Sequence, residues 1–292
     1  MANIDLRYLL GGAMKSFAQI SRLLGLISLG ILLTFSIPLL ARDIQLPASR
    51  AVEVRQIRGT VTYQGRPARV GDRLTAPGQQ IVTGRQSSAV LAVDTGIATI
   101  NVAELTTVQV QNLSMAANGG RITRLSVPRG QARIQARPLT NPNSRLEVSS
   151  PAGVAGVRGT VFGVGVGPNG KTGVSTLEGA VATTAKGRTV TINSGYSSLV
   201  FPGDAPTQPK LTQENLKYEL ISLSPINRNR ARLICTVDPL NLIFLNDQPL
   251  AMDRTGRVDT LVPRPANAEY RVVVRSPLGK EELHMIGADL LK

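Results

Sequence analysis

The sequence predicts an all-β protein, and three observations support this prediction. Short runs rich in β-branched residues recur over residues 50–200, each bounded by Gly, Asn, Asp or Pro, which is typical of strands and turns. No convincing apolar period of 3.6 residues occurs in that range. Five further strand-like runs follow over residues 225–288, separated by turn sequences such as NDQP and DRTG.

The runs fall into two groups, which predicts two domains. We expect a first all-β domain over residues 50–200, shaped as a sandwich or as a solenoid. A Pro-rich linker follows at 201–224, in which residues 211–223 form a short helix or an extended segment. Residues 225–288 form a smaller β domain. In its sequence a strand is followed by Asn-Asp-x-Pro-Leu, and then by Asp-x-x-Gly before another strand. This pattern resembles the Ig-like modules of bacterial envelope proteins, and the resemblance implies a small Ig-like β-sandwich.

The N-terminal part contains one long uncharged segment. Residues 23–41 carry no charge, and the preceding stretch, 1–22, holds Arg7, Lys15 and Arg22 against Asp5 alone. A helix over 23–41 spans roughly 28 Å, close to the ~30 Å hydrocarbon core of a bilayer. Residues 1–41, with an apolar helix at 23–41, are therefore expected to be either a cleaved secretory signal or a retained inner-membrane anchor. In both cases the rest of the chain is exported, so we expect a periplasmic or secreted protein.

The charge of the chain indicates the class of its partner. The chain has 33 Lys and Arg against 19 Asp and Glu, a formal net charge of +14, and an exported chain without residues 1–41 keeps +12. Such an excess favours anionic partners. Because an exported protein rarely meets chromosomal nucleic acid, we expect no nucleic acid partner. Anionic wall polysaccharide or lipopolysaccharide is the expected polyanion, and a merely solvated basic surface is the alternative. The membrane is expected to be contacted only through residues 23–41.

The residues needed for catalysis are scarce. The exported part has one histidine, His284, and one cysteine, Cys235, which gives no spaced metal ligands and no intramolecular disulfide. A catalytic triad needs its histidine near a nucleophile, and His284 lies in an alternating strand-like run, which favours an ordinary edge residue. The absence of Trp argues against a sugar-stacking cleft of a hydrolase. We therefore expect no enzyme activity, no cofactor and no metal.

The stretch from residue 151 to residue 181 is unusually rich in glycine. A nucleotide-binding loop needs its glycines to lead into a helix, whereas these lead into the strand-like TVFGVGV. Gly163 and Gly165 alternate there with Phe162 and Val164, so one face of the strand is bare and the other is bulky. The glycines are therefore expected to let a neighbouring sheet layer or crossing strand approach closely.

The same stretch resembles the signature of the FecR-type domain. The matching residues are Pro151-Ala152, AGVRGT at 155–160, Phe162, Val164, Thr172, Val174, Leu177-Glu178-Gly179 and Val181. An ordered upstream set also fits the family: Gly71-Asp72, Thr83-Gly84, Ser88-Ala89, Leu91 and Asp94-x-Gly96. The resemblance covers about residues 52–200. We assign a structural role to the motif residues Gly156, Val157, Arg158, Gly159, Thr160, Phe162, Glu178 and Gly179.

The resemblance implies an exported β module used for interaction or sensing. The family is named after regulators of ferric-citrate uptake, which join a cytoplasmic anti-sigma domain and one membrane span to a periplasmic sensing domain. This sequence departs from that plan, because the stretch 1–22 before the apolar segment is too short for a folded anti-sigma domain. Within the motif, Arg158 is expected to bind Glu178 or turn carbonyls, since a charge among apolar residues is costly unless paired. A ligand contact by Arg158 is the alternative.

One surface feature stands out, the run RGQARIQAR at residues 129–137. In a half-buried strand Arg129, Arg133 and Arg137 share one face, on which alternate residues are ~6.6–7 Å apart. Arginine suits bidentate contacts with carboxylate or phosphate. The face is expected either to bind a polyanion or to be a solvated surface that blunts edge-to-edge aggregation. Arg121 and Arg124 enlarge it if the neighbouring strand pairs in a suitable register.

These observations predict an exported, non-enzymatic binding or structural protein of the cell envelope. It is expected to contact a partner protein or an anionic envelope polymer. The alternative is a membrane-anchored periplasmic sensor or regulator of the FecR type that lacks the cytoplasmic anti-sigma domain.

Overall fold

The computed structural model describes residues 50–94, 96–213, 215–264 and 269–287, all of which belong to one compact unit. The described residues form 24 β-strands and no helix, which confirms the all-β prediction. In this part of the chain, no helix has the length and apolar character needed to cross a bilayer. The apolar helix expected at residues 23–41 lies outside the described residues.

Seventeen strands form the first domain. The first eight are β1 (Val52–Arg58), β2 (Val61–Tyr63), β3 (Arg66–Pro67), β4 (Arg73–Leu74), β5 (Gln80–Thr83), β6 (Ser88–Val93), β7 (Ala98–Val102) and β8 (Thr107–Met115). The other nine are β9 (Arg121–Ala136), β10 (Arg145–Ser149), β11 (Val154–Val157), β12 (Val161–Val166), β13 (Thr172–Glu178), β14 (Ala180–Ala185), β15 (Arg188–Asn193), β16 (Tyr196–Val200) and β17 (Lys210–Leu211).

The long strand β9 joins two sheets. Its last residues, from Gly130 onward, pair with β7 and β12 in sheet A, whose order is β4-β1-β6-β7-β9-β12-β13-β16-β17. Its first residues, up to Arg129, pair with β8 and β10 in sheet B, whose order is β3-β2-β5-β8-β9-β10-β11-β14-β15. Neighbouring strands are antiparallel except for the parallel pair β9 and β10.

The two sheets enclose one apolar core. Sheet A contributes alternate residues such as Leu91, Ile134 and Phe162, and sheet B contributes residues such as Ile81 and Leu146. All five have 1% or less of their surface exposed. Since side chains alternate across a strand, only one face of each sheet can enter this core. Of the two shapes that the sequence left open, the first domain has that of a sandwich.

Seven strands form the second domain. They are β18 (Tyr218–Pro225), β19 (Arg230–Val237), β20 (Leu242–Leu245), β21 (Gln248–Leu250), β22 (Arg257–Pro263), β23 (Glu269–Arg275) and β24 (Glu281–Gly287). Sheet C has the order β18-β19-β22 and sheet D the order β21-β20-β23-β24. A separate core that includes Leu233, Tyr270 and Val272 lies between them. The Ig-like character of this domain stays a prediction.

The predicted linker contains strand residues at its C-terminal end. Residues 211–223, for which the sequence left a helix or an extended segment open, hold the end of β17 and most of β18. Residues 218–224 of the predicted linker therefore belong to a strand, which pairs with β19. The predicted domain boundaries stay predictions.

Candidate functional site

The bare face of β12 is covered by the second domain. Phe162 and Val164 lie in the core of the first domain. Gly163 and Gly165, which alternate with them along β12, therefore face away from that core. A Cβ atom on Gly163 would lie 2.0 Å from the carbonyl oxygen of Pro277, and one on Gly173 would lie 2.5 Å from that of Leu240. The expected close approach to this face is confirmed, and the approaching layer is the second domain.

Polar contacts surround the glycine contacts. Gln131, which is 2% exposed, donates from Nε2 to the carbonyl oxygens of Ser276 at 2.7 Å and Pro277 at 2.8 Å. Arg275 of the second domain binds Glu104 of the first at 2.7 Å. The Arg275 guanidinium also lies 4.7 Å above the ring centre of Phe244. The first and second domains are thus held together by directional contacts as well as by packing.

Lys171 is buried in the same interface. It is 1% exposed, and its Nζ donates to the carbonyl oxygens of Pro239, at 2.5 Å, and Asn241. Burial lowers the pKa of Lys171 from 10.5 to about 7, and the nearby charge of Asp238 opposes this shift. The interface therefore holds an amine that changes its charge near neutral pH.

Two glycines of the predicted motif lie where the chain passes between the sheets. Gly159 has a φ of +106° and lies between β11 of sheet B and β12 of sheet A. Gly179 has a φ of +77° and lies between β13 of sheet A and β14 of sheet B. A Cβ atom on Gly179 would lie 2.7 Å from the carbonyl oxygen of Gly159, so the two crossings are in contact.

The other motif residues lie beside these crossings. Val157, Thr160 and Phe162 are buried, and Gly156 lies on the outer face of sheet B. The positions of the three buried residues are consistent with the structural role that we assign to the motif.

Arg158 contacts a main-chain carbonyl and not Glu178. Its Nη2 lies 3.5 Å from the carbonyl oxygen of Leu139, which is a weak contact. Arg158 and Glu178 are both exposed, and no ion pair joins them in the described chain. An Arg158–Glu178 ion pair therefore does not contribute to the stability of the motif in the described chain.

The predicted arginine face is divided by the second domain. Arg129, Arg133 and Arg137 are exposed, but Gln131 between the first two is covered by residues 276–277. Arg129 donates from Nε to Thr107 Oγ1 at 3.2 Å. Among the ion pairs of the described chain, none includes these three arginines. Their charges are thus not neutralised by neighbouring carboxylates.

Arg137 and Arg121 line one cleft of about 300 Å³. The remaining lining residues are Gly96, Ile97, Gly119, Pro138, Leu139, Thr140, Asn141 and Ser144. None of the lining residues is acidic. Arg121 therefore joins Arg137, but through the path of the single strand β9 and not through the register of a neighbouring strand. Arg124 is neutralised by Glu147 at 2.7 Å.

The arginine that supports this cleft was missed by sequence reasoning. Arg50 pairs with Asp94 at 3.0 Å, and both side chains are at most 9% exposed. The two residues are 44 positions apart, so no local pattern connects them. The Asp94-x-Gly96 turn is visible in the sequence, but it does not indicate that Arg50 is the partner of Asp94.

A second and larger cleft of about 830 Å³ has mixed charges. It lies between the end of the first domain and the β19–β20 turn, and Lys210 and Lys217 line it together with Glu219 and Asp238. Arg254 lines it as well, but its charge is paired with Asp204. It therefore offers no clear preference for an anion. In the part of the chain that the structure describes, no three His, Cys, Asp or Glu side chains are grouped so as to hold a metal ion.

Residues 79–182 match the family model described as FecR protein. The chain carries a FecR domain. The matched range includes the glycine face of β12 and both arginines of the cleft, whereas the second domain lies outside it. The recognition of this family from the motif is therefore confirmed.

Solved structures resemble the chain only distantly. Two structures of a proposed anti-sigma factor from Parabacteroides distasonis, at 2.50 Å and 1.65 Å resolution, share 13% identity at a TM-score of 0.39. Each alignment covers 45% of this chain and 59% of the other, so the chain spans about three fifths of those proteins. A polysaccharide lyase aligns with 8% identity over 82% of this chain and 39% of its own, at a TM-score of 0.20. No curated protein matches the sequence.

Proposed function

We propose that this protein is an exported, non-enzymatic envelope protein whose FecR domain binds an anionic envelope polymer. The observation that carries the proposal is the cleft between Arg121 and Arg137, which has two guanidinium groups and no acidic lining residue. Arg129 and Arg133 add unneutralised charge to the same domain.

The chemistry of arginine supports this choice. The guanidinium group is planar, stays charged at all physiological pH values and matches carboxylate and phosphate oxygens with two parallel hydrogen bonds. A net charge of +14 for the whole chain also raises the rate of encounter with anionic polymers. Wall polysaccharides and lipopolysaccharide carry such groups at regular intervals. Many weak contacts along one polymer then combine into useful avidity.

Export supports an envelope polymer as the partner. The uncharged segment 23–41 with basic residues before it predicts translocation of the chain that follows. An exported basic protein meets polysaccharide and lipid headgroups of the envelope before it meets other polyanions. The FecR domain match is consistent with a periplasmic location.

The test compares two triple variants of the full chain. The first is Arg129→Ser, Arg133→Ser and Arg137→Ser, which removes the unpaired arginines. The matched control is Arg232→Ser, Arg254→Ser and Arg271→Ser in the second domain, where each arginine is paired with an aspartate. Both variants lose three positive charges.

Binding to purified lipopolysaccharide and to polygalacturonate is measured at 20 and 150 mM NaCl. We expect the first variant to bind at least tenfold more weakly than the wild type and the control to bind within threefold of it. Equal losses in both variants would show unspecific charge attraction. No binding by the wild type to either polymer, together with recovery of one envelope protein by crosslinking, would replace the polymer with a protein partner.

A membrane-anchored sensor is the second candidate function, and the uncharged segment 23–41 favours it. In that case an event at the FecR domain is transmitted through the anchor. Intact mass and membrane partition of the expressed chain separate the two functions. A soluble protein whose mass lacks the segment 1–41 would contradict the sensor function. A full-length protein in the membrane fraction would support it, and the segment 1–22 would then be tested for a partner.

A further inference from the structure

We infer that the cleft between Arg121 and Arg137 holds one carboxylate- or phosphate-bearing sugar unit of the bound polymer. This inference rests on the proposed function and assigns the site and the chemical class of its ligand. It places the specific contact at the two ends of β9 and leaves Arg129 and Arg133 outside it.

The path of β9 brings the two arginines together. Arg121 is the first residue of β9 and Arg137 directly follows its last residue. A straight strand of this length would separate them by roughly 50 Å. Because β9 passes from sheet B to sheet A at Gly130, its two ends return to the same end of the sandwich, where both arginines line the cleft.

The charge of Asp94 beside the cleft is already neutralised. Arg50 donates to its carboxylate from Nε at 3.1 Å, and the main-chain N–H of Ala51 donates to it at 3.2 Å. The other guanidinium nitrogens of Arg50 donate to the carbonyls of Ser114 and Ile122 and to Thr123 Oγ1, at 2.5–2.6 Å.

Arg50 is therefore fully engaged and has no donor left for a ligand. Arg121 Nη1 lies 4.0 Å from Asp94, too far for a hydrogen bond. The charges of Arg121 and Arg137 thus remain available to an anion.

The walls of the cleft are fixed before a ligand arrives. The main-chain N–H of Arg137 donates to the carbonyl of Ile97 at 2.9 Å, and its guanidinium lies over the backbone of Gly96. The N–H of Arg121 donates to Ser144 Oγ at 3.0 Å. Asn141 donates from Nδ2 to the carbonyl of Asn118 at 3.2 Å. A rigid site loses little conformational entropy on binding, which favours affinity.

Size and lining define the ligand class. A volume of about 300 Å³ is at the lower end of ligand pockets, which suits one charged unit and not a folded partner. The lining has no aromatic side chain, so a neutral sugar gains no stacking energy there. Binding then depends on the pair of guanidinium groups, which prefer carboxylate or phosphate oxygens.

The experiment measures binding of two probes to the full chain by isothermal titration calorimetry. Trigalacturonate represents the carboxylate source, and glucose 6-phosphate represents the phosphate source. The cleft variants are Arg121→Gln and Arg137→Gln. The matched control is Arg188→Gln, which removes one exposed charge from the edge strand β15 on sheet B, and Arg133→Gln tests the rest of the arginine face.

We expect each cleft variant to weaken the binding of the tighter-binding probe at least tenfold. Arg188→Gln is expected to change the affinity for that probe by less than twofold, and Arg133→Gln by less than threefold. The probe that binds more tightly identifies the source of the anionic group. Equal weakening by Arg133→Gln and Arg121→Gln overturns the site, as does the absence of binding by both probes. If the wild type nevertheless binds polymer, only this inference fails; if it binds no polymer, the proposed function fails.

Discussion

The ammonium group of Lys171, in the turn between β12 and β13, donates a hydrogen bond to the main-chain carbonyl of Asn241 in the second domain. A second hydrogen bond reaches the carbonyl of Pro239 at 2.5 Å. The amine is 1% exposed, so these carbonyls replace its hydration shell. Isolated buried charges are costly, and an amine in this position lowers its pKa and loses its proton more readily. The contact between the domains is therefore linked to pH.

We expect the stability of the full chain to rise with pH between about 7 and 10.5 through Lys171. Burial lowers its pKa to about 7 in the folded protein, against 10.5 for an ordinary lysine. In this window the unfolded chain binds a proton that the folded chain has released, so raising the pH favours folding. The slope from one group is at most about 1.4 kcal/mol per pH unit.

The variant Lys171→Met isolates this effect. Burial raises the pKa of Cys235 to about 11, which gives a slope of opposite sign at higher pH, so the comparison is made between pH 7.5 and 8.5. Chemical denaturation at both values should show a positive slope for the wild type and a smaller one for Lys171→Met. Identical slopes would mean that Lys171 keeps an ordinary pKa in the folded chain.

We expect Gly163→Ala to disrupt the contact between the domains, whereas Gly156→Ala leaves the protein nearly unchanged. A Cβ atom at position 163 would lie 2.0 Å from the carbonyl oxygen of Pro277, and one at position 156 meets only the carbonyl of Ala182 at 3.9 Å. Forcing a methyl group into a packed interface costs about 1–3 kcal/mol, and a surface change in open space stays within about 0.5 kcal/mol.

Thermal unfolding and limited proteolysis measure both variants. Faster cleavage between the domains is expected in Gly163→Ala alone. Similar melting temperatures and cleavage rates for the two alanine variants would show that the glycine face is not a tight contact.

The bare face of β12 could be predicted from sequence because alternation is a local property of a strand. The alternation of Gly163 and Gly165 with Phe162 and Val164 is sufficient to predict a face without side chains. The layer that covers the face could not be predicted. Gln131 and Pro277 are 146 residues apart, and no local pattern in either segment specifies the other.

The arginine site was predictable only in part. Alternation correctly predicted that Arg133 and Arg137 are exposed. The sequence interpretation took residues 129–137 as one strand and Arg121 as part of a neighbouring strand, however, and so it placed Arg129 with Arg137 and made Arg121 conditional on register. The passage of β9 between the sheets reverses this grouping, and that passage depends on pairing with distant strands β7 and β12.

We expect Arg275→Met to destabilise the full chain by about 1.5–3 kcal/mol, because the variant loses charge-assisted hydrogen bonds to two carboxylates that are only partly exposed to water. The Arg275 side chain is 4% exposed and binds Glu104 of the FecR domain and Glu281 of its own domain. Arg254→Met is the control, because the Arg254 side chain is 70% exposed in its pair with Asp204 and such pairs contribute at most about 1 kcal/mol. Equal losses measured by denaturant unfolding would contradict a special role of Arg275.

The same contact predicts an acid-dependent loss of stability. Burial alone raises the pKa of Glu104, but the N–H of Gln86 and the guanidinium of Arg275 outweigh it and hold the pKa below 4.5. A depressed folded pKa stabilises the protein above the unfolded value, and this contribution is lost as pH falls through the folded value. Unfolding measured from pH 6 to pH 3 should show a steeper loss in the wild type than in Arg275→Met. Parallel curves would mean that Arg275 does not set the pKa of Glu104.

Alanine variants of Gly179 and Gly187 distinguish the effect of backbone strain from that of steric conflict at the sheet crossings. Their φ angles are +77° and +71°, so an alanine is strained to a similar degree at both, by roughly 1–2 kcal/mol. A Cβ atom at position 187 meets nothing within 4 Å, whereas at position 179 it would lie 2.7 Å from the carbonyl oxygen of Gly159. We expect Gly179→Ala to be destabilised by about 1–3 kcal/mol more than Gly187→Ala, because only the former must also separate the two crossings. Each kcal/mol corresponds to about 2–4 °C in melting temperature for a chain of this size, which thermal unfolding resolves. If both variants melt at the same temperature, the contact between the crossings adds nothing to stability, and the two motif glycines serve only the backbone conformation.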